Sequence, residues 1–211
     1  MITPMEERHS LAIRLFHWLN MIAITLLCLT GFYIHAPLHF RLFSTMDNPR
    51  FFHFLMAYVL IFGVIGRVYY AIATGDWRNV LYNVVEDTKK LPSMIKYYTF
   101  LADSHPDYGK YNPGQKGMYT GLVFMVIVMV YTGVMLLYPN SAYAVWNSAH
   151  IMSYATARMI HYIFTWFFIL CVMVHVYLDL SEGIPVLMSM FTGKLPVGFH
   201  HTSDDHHSVS Q

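Results

Sequence analysis

The chain has 211 residues, 56% of them hydrophobic and only 12% charged, with a formal net charge of +1. Soluble domains carry about 25% charged residues, and one aqueous fold of this length cannot hide so much apolar surface, whereas a bilayer can. The near-neutral charge excludes nucleic acid as a partner, and the 13 histidines equal all lysines and arginines together.

In chain order, Arg8 and Arg14 lead into the first predicted span, residues 15–34. This run is about as long as a membrane crossing and no A-x-A site follows it, so it reads as a helix and not as a cleaved signal peptide. It contains His17. The second span, 51–72, carries His53 in its first turn and is interrupted only by Arg67. Between the second and third spans, apolar residues recur at Trp77, Val80, Leu81, Val84, Val85, Leu91, Ile95, Tyr98 and Leu101. That spacing predicts an amphipathic helix along the inner membrane face, broken near Pro92. Pro113 and Gly114 then predict a turn. The third span is 118–138, with Gly121 and Gly133. The fourth, 159–178, holds His161 and His175 and is bracketed by Arg158 and Asp179. Residues 199–211 form a polar, predicted disordered tail after a single membrane domain, 1–198.

Lipid offers no partners for backbone polar groups, so the spans are helices. The expected fold is an all-α bundle of four transmembrane helices. Basic residues cluster before the first span, between the second and third, and at Lys194, while the opposite side has Arg41, Arg50 and Arg158. Both termini are therefore expected in the cytoplasm. The outer segments, 35–52 and 139–157, are short and aromatic, as a docking surface for a partner's membrane helix would be. Cys28 and Cys171 lie in apolar runs. Without C-x-x-C-H or C-x-x-C, covalent haem, iron–sulfur and zinc ligation by this chain are not expected.

An ionisable residue inside a span is a functional candidate. His161 and His175 are 14 residues apart, roughly 21 Å along a helix and on one face. The first helix enters from the inside, so His17 falls at the inner level with His175. The second enters from the outside, so His53 falls at the outer level with His161. Each pair supplies two axial nitrogens, enough for one haem iron. Zinc wants three or four ligands in one place, and a proton relay calls for intramembrane Asp or Glu, which the spans lack. Gly31, Gly121 and Gly133 admit either a porphyrin against the backbone or close helix packing. Arg67 suits either a haem propionate or snorkelling to the interface. Iron held by two histidines has no open position and carries electrons.

Three motifs resemble a known family. Arg14-Leu-Phe-His17-Trp-Leu with Leu29-Thr-Gly31, then Arg158-Met-Ile-His161 with Trp166 and His175-Val-Tyr, then Ser189-Met-Phe-Thr-Gly193, resemble the b-type cytochrome subunit of nickel–iron hydrogenases. Gly109-Lys-Tyr-Asn-Pro-Gly-Gln-Lys116 resembles the related membrane subunits of formate dehydrogenases and thiosulfate reductases. The resemblance implies an anchor in a bacterial or archaeal cytoplasmic membrane. It implies electrons from an iron–sulfur small subunit and a catalytic large subunit, passed through two haem b groups to menaquinone or ubiquinone. It implies an entry haem on His53 and His161, an exit haem on His17 and His175, and a quinone site lined by Asn112 and Gln115. Asn112 reads equally as a simple helix cap. The same role for a formate dehydrogenase is the main alternative, and a haem-free transporter or scaffold the distant one.

Overall fold

The computed structural model describes residues 4–37, 42–102, 108 and 111–197. Among them the chain runs β1 (Met5–Glu7), α1 (Leu11–His35), α2 (Asp47–Ala73), α3 (Trp77–Val80), α4 (Glu86–Tyr98), α5 (Pro113–Leu137), α6 (Ala142–His150), α7 (Tyr154–Ser181), α8 (Ile184–Thr192) and β2 (Lys194–Pro196). Helices α1, α2, α5 and α7 are long and apolar enough to cross a membrane. Only 11% to 22% of the most apolar window of each is buried, and side chains such as Leu29, Phe62 and Met173 are more than 60% exposed. Such surfaces belong in lipid.

The long helices overrun the expected spans because their flanks carry their own start signals. Asn112 and Pro113 open α5, since proline at the first helical position has its φ already set and needs no N–H there. The expected turn at Pro113 and Gly114 is thus corrected to the first helical turn. Ser153 Oγ accepts the Thr156 N–H at 3.1 Å at the start of α7, an N-cap.

The segment between α2 and α5 is helical, but its break lies at 81–85 and not at Pro92, which α4 accommodates internally. Asn83 explains the break: its side-chain oxygen accepts the N–H groups of Val85 and Glu86 at 3.0 and 3.2 Å and starts α4 afresh. The buried face of α4 is Asp87, Met94 and Tyr98, whereas the apolar Leu81, Val84, Val85 and Ile95 are exposed. The expected all-α description also gains a small sheet, with β1 antiparallel to β2 in the register Glu6↔Leu195. Arg41, Gly109, Lys110 and the tail 199–211 lie outside the described residues.

The chain divides into two compact units. One comprises Phe16–Tyr69 and Gly121–Val172. Its core draws Ala23 from α1, Leu60 and Val64 from α2, Met125 and Val126 from α5, and Phe168 from α7. Lipid is as apolar as these side chains, so what holds them is close packing. Gly66 permits it at one point, where a Cβ would come within 2.6 Å of the Phe16 ring.

The other unit gathers the chain up to Leu15, Tyr70–Thr120 and the chain from Met173 onward. Here α4 packs on the end of α7 through Met94, Tyr98 and Leu178. Gly193 ends α8 with φ +80°, and its carbonyl accepts the N–H groups of Arg8 and His9 at 2.9 and 3.2 Å. A Cβ there would strike the His9 carbonyl and the Arg14 guanidinium, so only glycine fits.

Candidate functional site

His53 on α2 and His161 on α7 meet in the first unit, with ring centres 6.3 Å apart and planes at 55°. Metal–imidazole bonds run about 2.0–2.1 Å. With roughly 1.1 Å from nitrogen to ring centre, two imidazoles on one metal have centres about 6.3 Å apart. The observed spacing matches that of two imidazoles on opposite sides of a single metal.

The chemistry of each ring is set by a threonine. Thr30 Oγ1 lies 3.0 Å from His53 Nδ1 and donates its own proton to the Leu26 carbonyl. Thr132 Oγ1 lies 2.9 Å from His161 Nδ1 and donates to the Val128 carbonyl at 2.8 Å. Since each hydroxyl proton is committed, each oxygen accepts from its histidine. Both Nδ1 atoms therefore carry hydrogen, and both Nε2 atoms keep a bare lone pair for a metal. Each threonine is buried and is followed by a glycine under the same ring. A Cβ on Gly31 would lie 3.3 Å from His53 Cε1, and one on Gly133 3.4 Å from His161 Cε1.

No group of three or more His, Cys, Asp or Glu placed to hold a metal ion occurs among the described residues. A bare ion would be under-coordinated by two imidazoles. A haem iron is not, because its porphyrin supplies the other four nitrogens. The pair fits a haem.

His17, half-buried on α1, stands edge-on to Trp18 with ring centres 5.1 Å apart. His175 on α7 belongs to the other unit, and its Nε2 lies 3.3 Å from Asp179 Oδ2 one turn on. Arg67 is half-buried on α2. A Cβ on Gly121 would meet nothing within 4 Å.

Asn112 and Gln115 come together as a reciprocal cap of α5. Asn112 Oδ1 accepts the Gln115 N–H at 2.8 Å, and Gln115 Oε1 accepts the Asn112 N–H at 3.1 Å. This satisfies two otherwise orphaned donors. Asn112 Nδ2 donates onward to the Tyr98 hydroxyl at 3.1 Å, and that hydroxyl donates to Glu182 Oε1. Tyr177 Oη donates to the Tyr98 carbonyl at 2.7 Å. Burial pushes the Tyr98 hydroxyl far above the ordinary tyrosine range, and the adjoining Glu182 carboxylate adds to it. Nearby, Lys116 Nζ donates to the buried Asp87 carboxylate at 3.1 Å, and the Asn83 N–H donates to the same group at 2.7 Å. Burial alone would raise Asp87, but these two partners hold it below the usual carboxylate range.

Sequence reasoning missed the two threonines and Asn20. The signal for the threonines was the Thr-Gly dipeptide repeated on α1 and α5. The signal for Asn20 was an amide inside an apolar run. Its buried side chain occupies the notch left by Gly63 on α2.

The chain is also similar to known proteins. Residues 8–193 match the family model described as prokaryotic cytochrome b561. An Azotobacter vinelandii protein named "Probable Ni/Fe-hydrogenase B-type cytochrome subunit" is 30% identical over 197 residues, covering 85% of this chain and 82% of that protein. A Cupriavidus necator protein of the same name is 28% identical, covering 82% and 78%. An Escherichia coli K12 protein named as the hydrogenase 1 counterpart is 26% identical, covering 82% and 81%.

Proposed function

The chain belongs to the prokaryotic cytochrome b561 family, and from that premise we propose that it anchors a nickel–iron hydrogenase in the membrane and carries its electrons to a quinone. The observation that carries this reading is the pair of threonine-locked imidazoles at ligand spacing. Bound haem supplies reversible one-electron chemistry. His53 and His161 would hold it through two imidazoles and so keep substrates off the iron, while the apolar helices exclude water. A second haem on His17 and His175 is carried by the 14-residue spacing on α7 and the matching depth of His17. Asp179, within reach of His175, is suited to orient that ring. Arg67 is offered to a propionate.

In this reading electrons arrive from the iron–sulfur small subunit and the catalytic large subunit on the outer face. They leave near His175 to menaquinone or ubiquinone, with Asn112 and Gln115 at the edge of that site. Both termini lie on the cytoplasmic side. The pairing of β1 with β2 supports a common side for the two strands, as four crossings require, and the basic residues of the sequence favour the cytoplasmic one. Purification from membranes of hydrogen-grown cells tests the proposal. Hydrogenase subunits should copurify, a reduced-minus-oxidised spectrum should show b-type bands, and haem extraction should give two haems per chain. Copurification with a formate dehydrogenase would overturn the hydrogenase assignment, and absence of b-type bands would overturn the whole reading.

A further inference from the structure

Resting on the quinone reading above, we propose that Glu182 and Tyr98 form the proton-delivery path for that reaction, with Glu182 loading protons from the inner aqueous side and the Tyr98 hydroxyl handing them to a substrate oxygen beside Asn112. Four observations within one unit carry this. Tyr98 is buried, 7% exposed, yet its hydroxyl joins Glu182 on one side and Asn112 Nδ2 on the other. Glu182 is only half-buried, so the chain of bonds starts near water and ends inside. Tyr98 is fastened to the turn that follows His175, through the bond from Tyr177 Oη to its carbonyl and through packing on Leu178. Lys116, the other candidate proton donor at this level, has its ammonium committed to Asp87.

A quinone takes two electrons and two protons to become a quinol. The electrons come one at a time from the haem side, so the protein must supply one proton with each. In the structure the Tyr98 O–H donates to the Glu182 carboxylate, which is the unloaded state. A proton taken up by Glu182 from water makes that carboxyl a donor. The Tyr98 hydrogen is then free to turn to the substrate oxygen, and Tyr98 regains a hydrogen from Glu182 as it releases its own. The high proton affinity of the buried tyrosine prevents it from standing empty between turnovers. Among the described residues, the charged and titratable groups facing Glu182 include Tyr97 and Tyr98 on α4 and Asp179 on α7, and Asp179 in turn faces His175 and Arg8.

The test uses the membrane-bound complex with its haems reduced, mixed with menadione or decylubiquinone while haem reoxidation is followed optically from pH 6 to pH 8. Glu182→Gln and Tyr98→Phe should keep full haem content and unchanged reduction by hydrogen. Reoxidation by quinone should slow by about 100-fold, most at pH 8, where free protons are scarce. Glu182→Asp should recover part of the rate, and the wild-type slowing in deuterated water should change in Glu182→Gln. A merely structural role would move neither the pH profile nor the isotope effect. Wild-type rates and pH profiles in both variants, with wild-type complex reoxidised normally, would overturn the relay alone. If neither quinone reoxidises the wild-type complex, the quinone reading itself fails and takes the relay with it.

Discussion

The His53–His161 pair and the Tyr98–Glu182–Asn112 cluster are both polar and at least half-buried, but they are built from opposite materials. Beside the imidazole pair, the hydrogen-bonding partners Thr30 and Thr132 are neutral, and each hydroxyl proton is committed to a main-chain carbonyl. Around Tyr98 there is a half-buried carboxylate, an amide and, between α4 and α5, an Asp87–Lys116 ion pair. A site whose protons are all fixed can change redox state without exchanging them. A site with a carboxylate near water can exchange protons at each electron. On the proposed reading, that difference puts electron transfer and proton transfer on different residues of one chain.

The largest effect should come from removing a ligand. His53→Ala or His161→Ala should abolish one haem and leave the other, as read by haem extraction and the difference spectrum. Retention of both haems would break the assignment of the neutral site.

Next is the charged site's ion pair. Lys116→Met removes the ion-pair partner of the buried Asp87 carboxylate and leaves it Lys90 and the Asn83 N–H, a change of at most about 3–5 kcal/mol for buried pairs, readable as a lower unfolding temperature in detergent. The pH dependence has a definite sign. Asp87 is held below its ordinary value, so its stabilisation is present above the unfolded carboxyl pKa of about 3.9 and is lost as pH falls further. Wild type should lose stability between pH 4 and pH 2 relative to Lys116→Met, and parallel curves would show that the pair contributes nothing.

A smaller effect is expected at the threonines. Thr30→Val or Thr132→Val removes the group that holds each histidine in its Nδ1–H form, which should weaken haem retention about 10- to 100-fold. Unchanged haem affinity in both would mean that packing alone orients the rings. Smallest is Asn112→Ala. Loss of the cap should cost about 1 kcal/mol, and a fall in quinone reoxidation beyond that loss would extend the site from Tyr98 to Asn112.

Hydrophobic run length alone determined the four membrane helices, because about 20 apolar residues suffice to cross lipid and no other secondary structure survives there. Helical periodicity put His53 at the level of His161, and these two rings do meet, since position along a straight helix converts directly to depth. Where the polar segments break was not legible. Proline at 92 was expected to end a helix, but the Asn83 side chain restarts it earlier, and such side-chain capping depends on rotamers that spacing does not encode. The reciprocal cap at Asn112 and Gln115 was a recognisable motif, yet it competed with a binding role that the same amides can serve. What only the tertiary structure decided is which groups converge: Thr30 on His53, Thr132 on His161, and Tyr98 on Glu182. Those contacts join residues 23, 29 and 84 positions apart, and separations of that kind are set by how helices pack, which no single helix records.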